Sequence, residues 1–152
     1  MADFENILFS VEGAIARISL NRPDAANGMN LALTTELAQA ADACDGNPAI
    51  RAVILSAEGR FFSAGGDVKS MASMGDAVPA GIKAIADELH KAISVLQRMR
   101  APVIVAVNGV AAGAGFSLAV SGNLVVAGES AAFTMAYSKV GLSPDGSSSY
   151  FL

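Results

Sequence analysis

The chain has 152 residues, 53% of them hydrophobic and 16% charged, with a formal net charge of −4. That length suits a single domain, residues 1–152, with its own core, and without a basic run the footprint of a nucleic-acid binder is missing. Cys44 is the single cysteine, which excludes an internal disulfide and leaves a small core residue on an apolar helix face.

The opening MADFEN is polar and acidic, unlike a secretory leader, so a cytoplasmic protein is expected. Ile7–Val11 and Ala14–Leu20 around Gly13 read as a hairpin, because Ala16, Ile18 and Leu20 alternate with Arg17 and Ser19. Asn30 is placed to cap a helix to about Cys44 with Leu33, Leu37 and Ala40 on one face; Asp45-Gly46-Asn47-Pro48 stops it. Arg51–Ser56 is a strand, and the loop FFSAGGD follows at 61–67. Ser73–Ala80 lacks periodicity and is expected to be mobile.

Pro79 opens a long helix to about Arg100 with an apolar stripe of Ile82, Ile85, Leu89, Ile93, Leu96 and Met99. Val103–Val107 is a buried strand, a short helix starts near Gly113, and Leu124–Ala127 and Ala132–Met135 read as strands. The uncharged run Ala101–Gly128 is broken by Pro102, Asn108 and five glycines, whereas a membrane span needs about 20 mostly apolar residues. No membrane partner is expected. The alternation of strand and helix predicts an α/β fold with a mainly parallel sheet, and the end at SSSYFL reads as the start of a further element, as in a truncated chain.

Two glycine-rich turns carry the chemistry. After a strand, Ala64-Gly65-Gly66-Asp67 can leave a backbone N–H aimed away from any ladder, since glycine reaches angles closed to other residues. Gly113-Ala114-Gly115 opens a helix, whose first N–H groups have no internal acceptor. Two such donors facing one cavity make an oxyanion hole. Each alone is an ordinary tight turn.

FFSAGGDVKSM, APVIVAVNGVAAGAGFSLAVS, AYSKVGLSPDGSSSYFL and the NRPDAANGMN turn together resemble the enoyl-CoA hydratase/isomerase (crotonase) family, in order and over nearly the whole chain. The resemblance implies a spiral of β-β-α units, the C-terminal trimerisation helices lying beyond this chain. It implies an acyl group carried as a coenzyme A thioester, no tightly bound cofactor or metal, and a homotrimer or dimer of trimers at full length. Carried over position by position, the thioester oxygen would meet the N–H groups of Gly66 and Ala114. The nucleotide would meet Ala25 and Ala26 in the first turn and the loop Ala64–Asp67, with Arg22 and Lys69 as the available cations.

The chain departs from the hydratase pattern where two glutamates share a water, for Ser117 and Tyr137 stand at those positions. A hydroxyl, or a phenol with pKa about 10, holds its proton near neutral pH. Asp145 is the remaining carboxylate in the appropriate loop, as in the ene-isomerase branches, and the reading it favours is double-bond isomerisation. His90, the only histidine, falls at the edge of its helix stripe; with Asp145 it also resembles the 4-chlorobenzoyl-CoA dehalogenase branch, which has tryptophan in place of Tyr137. Two readings from other classes stand beside these. One is a non-catalytic acyl-CoA binder, and the other a dehydrogenase whose dinucleotide turn is Gly109, Gly113 and Gly115, although Lys139 then follows Tyr137 by two positions instead of four and FFSAGGD goes unused.

Overall fold

The computed structural model describes residues 4–146 and 148–152, so Met1–Asp3 of the polar opening and Ser147 of the final segment lie outside the described residues. The hairpin forms as strands β1 (Ile7–Glu12) and β2 (Ile15–Leu20), joined at Gly13 with φ of +60°. Helix α1 (Leu31–Asp45) is capped by Asn30, whose side chain accepts the Leu33 N–H. It carries the chain back so that β3 (Ala52–Ala57) pairs parallel to β2.

From there a unit repeats. β4 (Phe61–Ser63) follows β3, and helices α2 (Val68–Ala72) and α3 (Val78–Arg98) lead to β5 (Val103–Val107) and β6 (Val110–Ala112). Helix α4 (Ala114–Val120) then leads to β7 (Leu124–Ala127) and β8 (Ala132–Thr134), and α5 (Ser148–Phe151) begins near the chain end. The first strand of each pair joins a sheet ordered β1-β2-β3-β5-β7, and the second joins a smaller sheet ordered β4-β6-β8. Every pairing after the hairpin is parallel. The chain therefore winds as a spiral of β-β-α turns.

Two details differ from the sequence reading. The FFS and VAA segments are strands, not loops, and at three residues each they are too short to display alternation. Ser73–Ala80 holds a 3-10 turn at Gly75–Ala77 and the first turn of α3, in place of a featureless stretch. The predicted stripe on α3 is real in its middle: Ile85, Leu89, Ile93 and Leu96 are buried against α1, whose Leu33 and Leu37 are 1% exposed. Each such aliphatic side chain contributes about 1.5–3 kcal/mol by leaving water. Among the described residues, no helix is long and apolar enough to cross a membrane.

Candidate active site

Backbone geometry in the first loop follows from a single parallel bridge. Met29 pairs with Gly66 by donating to Gly65 O at 2.7 Å and accepting from Asp67 N at 3.0 Å. Such a bridge uses the neighbours on either side of Gly66, so its own N–H faces the other way. That N–H meets no protein acceptor among the described residues. Gly65 must be glycine: its φ is +92°, and a Cβ would come within 2.6 Å of Ala112 O.

The second loop converges on the first. Gly113, with φ of +51°, donates to Thr134 O and accepts from Ser117 N as the residue before α4. Ala114 is the first helical residue and its N–H has no acceptor among the described residues, as at any uncapped helix start. A Cβ on Gly65 would lie 3.4 Å from Ala114 N, and one on Gly115 would lie 2.5 Å from Ser63 O. The two glycines let the loops touch.

Gly66 and Ala114 line one cavity of about 350 Å³, whose apolar wall includes Met29, Met71, Ile82, Ile85, Leu89 and Val140. Asp145 is the one carboxylate on that lining. Its Oδ1 is buried with no hydrogen-bond partner, and its Oδ2 lies 2.8 Å from His90 Nε2. The Gly146 amide approaches the same imidazole nitrogen at 3.3 Å. His90 is thus brought to the site despite its place at the edge of the helix stripe.

Ser117 and Tyr137 meet as well. Their hydroxyl oxygens are 2.6 Å apart, and Ser117 donates to the Asp145 carbonyl at 2.8 Å, which leaves the Tyr137 hydroxyl as donor to Ser117. Burial pushes the Tyr137 phenol well above its ordinary value of 10.0. It keeps its proton throughout the neutral range.

The residues expected at the nucleotide are placed less uniformly. Ala64 donates to Ala26 O at 2.9 Å, so the first turn and the first loop are joined; Ala25 and Ala64 are exposed. Arg22, expected to be free for a phosphate, is held at 3.0 Å by Asp67 and also donates to Gly28 O. Asp67 in turn caps α2 by accepting the Ser70 N–H. Both side chains are mostly buried, at 20% and 13% exposure. Of the two cations, Lys69 is the exposed one. The spacing of charges gave no warning of this, because an ion pair between positions 22 and 67 depends on loop packing.

Three contributors escaped the sequence reading. Asn27, fully buried at φ of +50°, donates to Glu58 O and Phe61 O and accepts from Arg22 N, which fixes the first turn against β4. The second asparagine of the NRPDAANGMN turn was the available signal. Ser63 donates to Asn27 O and accepts from Gly65 N. Met71 lies where a Cβ of Gly66 would stand, 2.6 Å from its Cε.

Comparison with known proteins shows the family. The family model for enoyl-CoA hydratase/isomerase matches residues 10–152. The 1,2-epoxyphenylacetyl-CoA isomerase of Escherichia coli (strain K12) is 38% identical over 93% of this chain and 54% of its own length. The trans-2-decenoyl-[acyl-carrier-protein] isomerase of Streptococcus mutans is 32% identical over 99% and 57%. A solved enoyl-CoA hydratase from Polaromonas sp. JS666 superposes with a TM-score of 0.87 at 37% identity, covering 95% of this chain and 56% of that one. The chain thus spans a little over half the length of these relatives.

Proposed function

The chain belongs to the enoyl-CoA hydratase/isomerase family, and from that premise we propose that it moves the double bond of an enoyl-CoA. The observation that carries this reading is the cavity itself: two unpaired amides, Gly66 and Ala114, and one carboxylate, Asp145, share an otherwise mostly apolar lining. Asp145 Oδ1 takes a proton from C2 of a 3-enoyl thioester. The electron pair passes to the thioester oxygen, where the two N–H groups meet the charge; each such donor is worth about 2.7–4 kcal/mol in the transition state. Asp145 then delivers a proton to C4, leaving the double bond between C2 and C3. Hydration is disfavoured because Ser117 and Tyr137 hold each other and supply no base.

Turnover of 3-hexenoyl-CoA by the protein, with crotonyl-CoA hydration measured beside it, tests the reading. Isomerisation well above hydration is the expected result. Brisk hydration that survives in Asp145→Asn would overturn it, and thioester binding without any turnover would leave the non-catalytic binder.

A second reading is favoured by the 2.8 Å contact between His90 and Asp145. Here Asp145 displaces halide from an aryl thioester, and His90 activates water against the resulting aspartyl ester. An intact-mass adduct on Asp145, accumulating in His90→Gln given a haloaryl-CoA, would carry this reading over the first.

A further inference from the structure

Gly66 is glycine for a reason of space. Its φ lies outside the left-handed region that Gly65 and Gly113 occupy, so the backbone there would accept another residue. What a side chain would meet is Met71: a Cβ on Gly66 would stand 2.6 Å from the methionine Cε and 3.5 Å from its Sδ. The tip of Met71 thus takes the place of the missing side chain, beside the amide that the proposed reaction uses. The neighbouring wall has little freedom, for Met29 is 1% exposed and held in the bridge to Gly66, and Ile85 and Leu89 of α3 are 5% and 1% exposed. Met71 differs from these three. Its backbone is fixed in α2, where its N–H donates to Asp67 O at 2.9 Å, but its side chain is half-buried and unbranched, a thioether that re-packs around whatever lies against it.

We propose that Met71 is a specificity-determining residue that reserves the space beside the carbonyl for acyl groups unbranched at C2. The inference rests on the reading that puts the thioester oxygen on the N–H groups of Gly66 and Ala114. With the oxygen there, C2 is two bonds away, and it faces the side of the cavity shared by Asp145 and α3, because Asp145 takes its proton. Met71 borders that side, since α2 packs on α3 and both line the cavity. A CH2 at C2 passes the methionine. A methyl branch at C2 competes with Met71 Cε for the volume that glycine at position 66 leaves open. Met71 therefore acts on fit and takes no part in proton transfer.

Saturated thioesters test this without any turnover. By calorimetry on the protein, butyryl-CoA should bind more tightly than 2-methylbutyryl-CoA by roughly 10–200-fold, the range that one extra carbon commands in a shaped apolar pocket. Met71→Ala should lower that ratio several-fold through tighter binding of the branched thioester. Met71→Leu, shorter by one atom, should fall between the two proteins, and it carries the comparison if the alanine variant does not fold. A merely structural role for Met71 would weaken both thioesters alike and leave the ratio unchanged, and that result would overturn the proposal. So would an unmodified protein that binds both equally, or neither. The isomerase reading fails on a different observation: no turnover of 3-hexenoyl-CoA by a protein that still discriminates between the two saturated thioesters.

Discussion

The hydroxyl oxygens of Tyr137 and Ser117 lie 2.6 Å apart, and through Ser117 the pair is tied to the backbone carbonyl of Asp145. With both hydroxyl protons engaged, the pair ties the loop that carries Asp145 to α4 beside the cavity. Ser117→Ala removes the bond to Asp145 O and leaves the Tyr137 hydroxyl buried without a partner. That should cost about 1–3 kcal/mol, seen as a lower urea midpoint, and should reduce turnover by displacing the carboxylate. Unchanged stability and rate would show that the strut does not hold Asp145.

Tyr137 also has a signature at high pH. Its folded-state pKa is raised above the ordinary value of 10.0 by burial, so the folded state retains the proton longer than the unfolded chain. Stability from this group is fully present below about pH 10 and is lost as pH rises above it. Denaturation followed from pH 8 to 11 should show a downward slope that is shallower in Tyr137→Phe.

Gly66→Pro isolates the first amide donor. The Met29 bridge runs through Gly65 O and Asp67 N, so the substitution removes no structural hydrogen bond. Turnover should fall by about 10²–10³, the loss typical of one oxyanion donor, whereas Gly66→Ala, whose Cβ meets the same Met71 Cε at 2.6 Å but keeps the N–H, should lose far less. A folded variant with full turnover would exclude this amide from the reaction.

The second donor is tested by packing. A Cβ at Gly115 meets Ser63 O at 2.5 Å and Ser63 Cβ at 2.6 Å, contacts with backbone and a buried strand that have little freedom to move. Gly115→Ala should push α4 away from β4 and cost about 1–3 kcal/mol. Because the shift carries Ala114 N with it, kcat should drop together with stability; a drop in stability alone would mean that the position of Ala114 does not matter.

Arg22 and Asp67 join the first turn to the first of the two glycine loops. The Ser70 N–H, opposed by burial and assisted by Arg22, holds the Asp67 carboxyl below its ordinary value of 3.8. A depressed carboxylate contributes stability above that value, and the contribution is lost as pH falls through the lower folded-state pKa. Asp67→Asn should flatten the acid limb of the stability profile. Arg22→Met should cost about 1.5–3 kcal/mol, the usual range for hydrogen bonds to a charged group, and weaken thioester binding through the loop without removing a phosphate contact.

Where local chemistry decides structure, the sequence was sufficient. Asn30 caps α1 because its side chain reaches the N–H three residues on, and Ile85, Leu89, Ile93 and Leu96 face the core because a helix returns every 3.6 residues. The glycine turns could be recognised because Gly65 and Gly113 take up positive φ, a demand that the residue type itself displays. Tertiary structure alone decided the rest. The three-residue strands β4 and β6 are stabilised by each other and by β8, so no period within either segment could reveal them. His90 and Asp145 are 55 positions apart, and a helix edge carries no record of which loop will be laid against it. Arg22 likewise looked like a free cation until the packing of the first turn on the first loop delivered Asp67 to it. Periodicity and turn chemistry are set by neighbours in the chain, whereas the pairing of charges and the convergence of the two loops are set by neighbours in space.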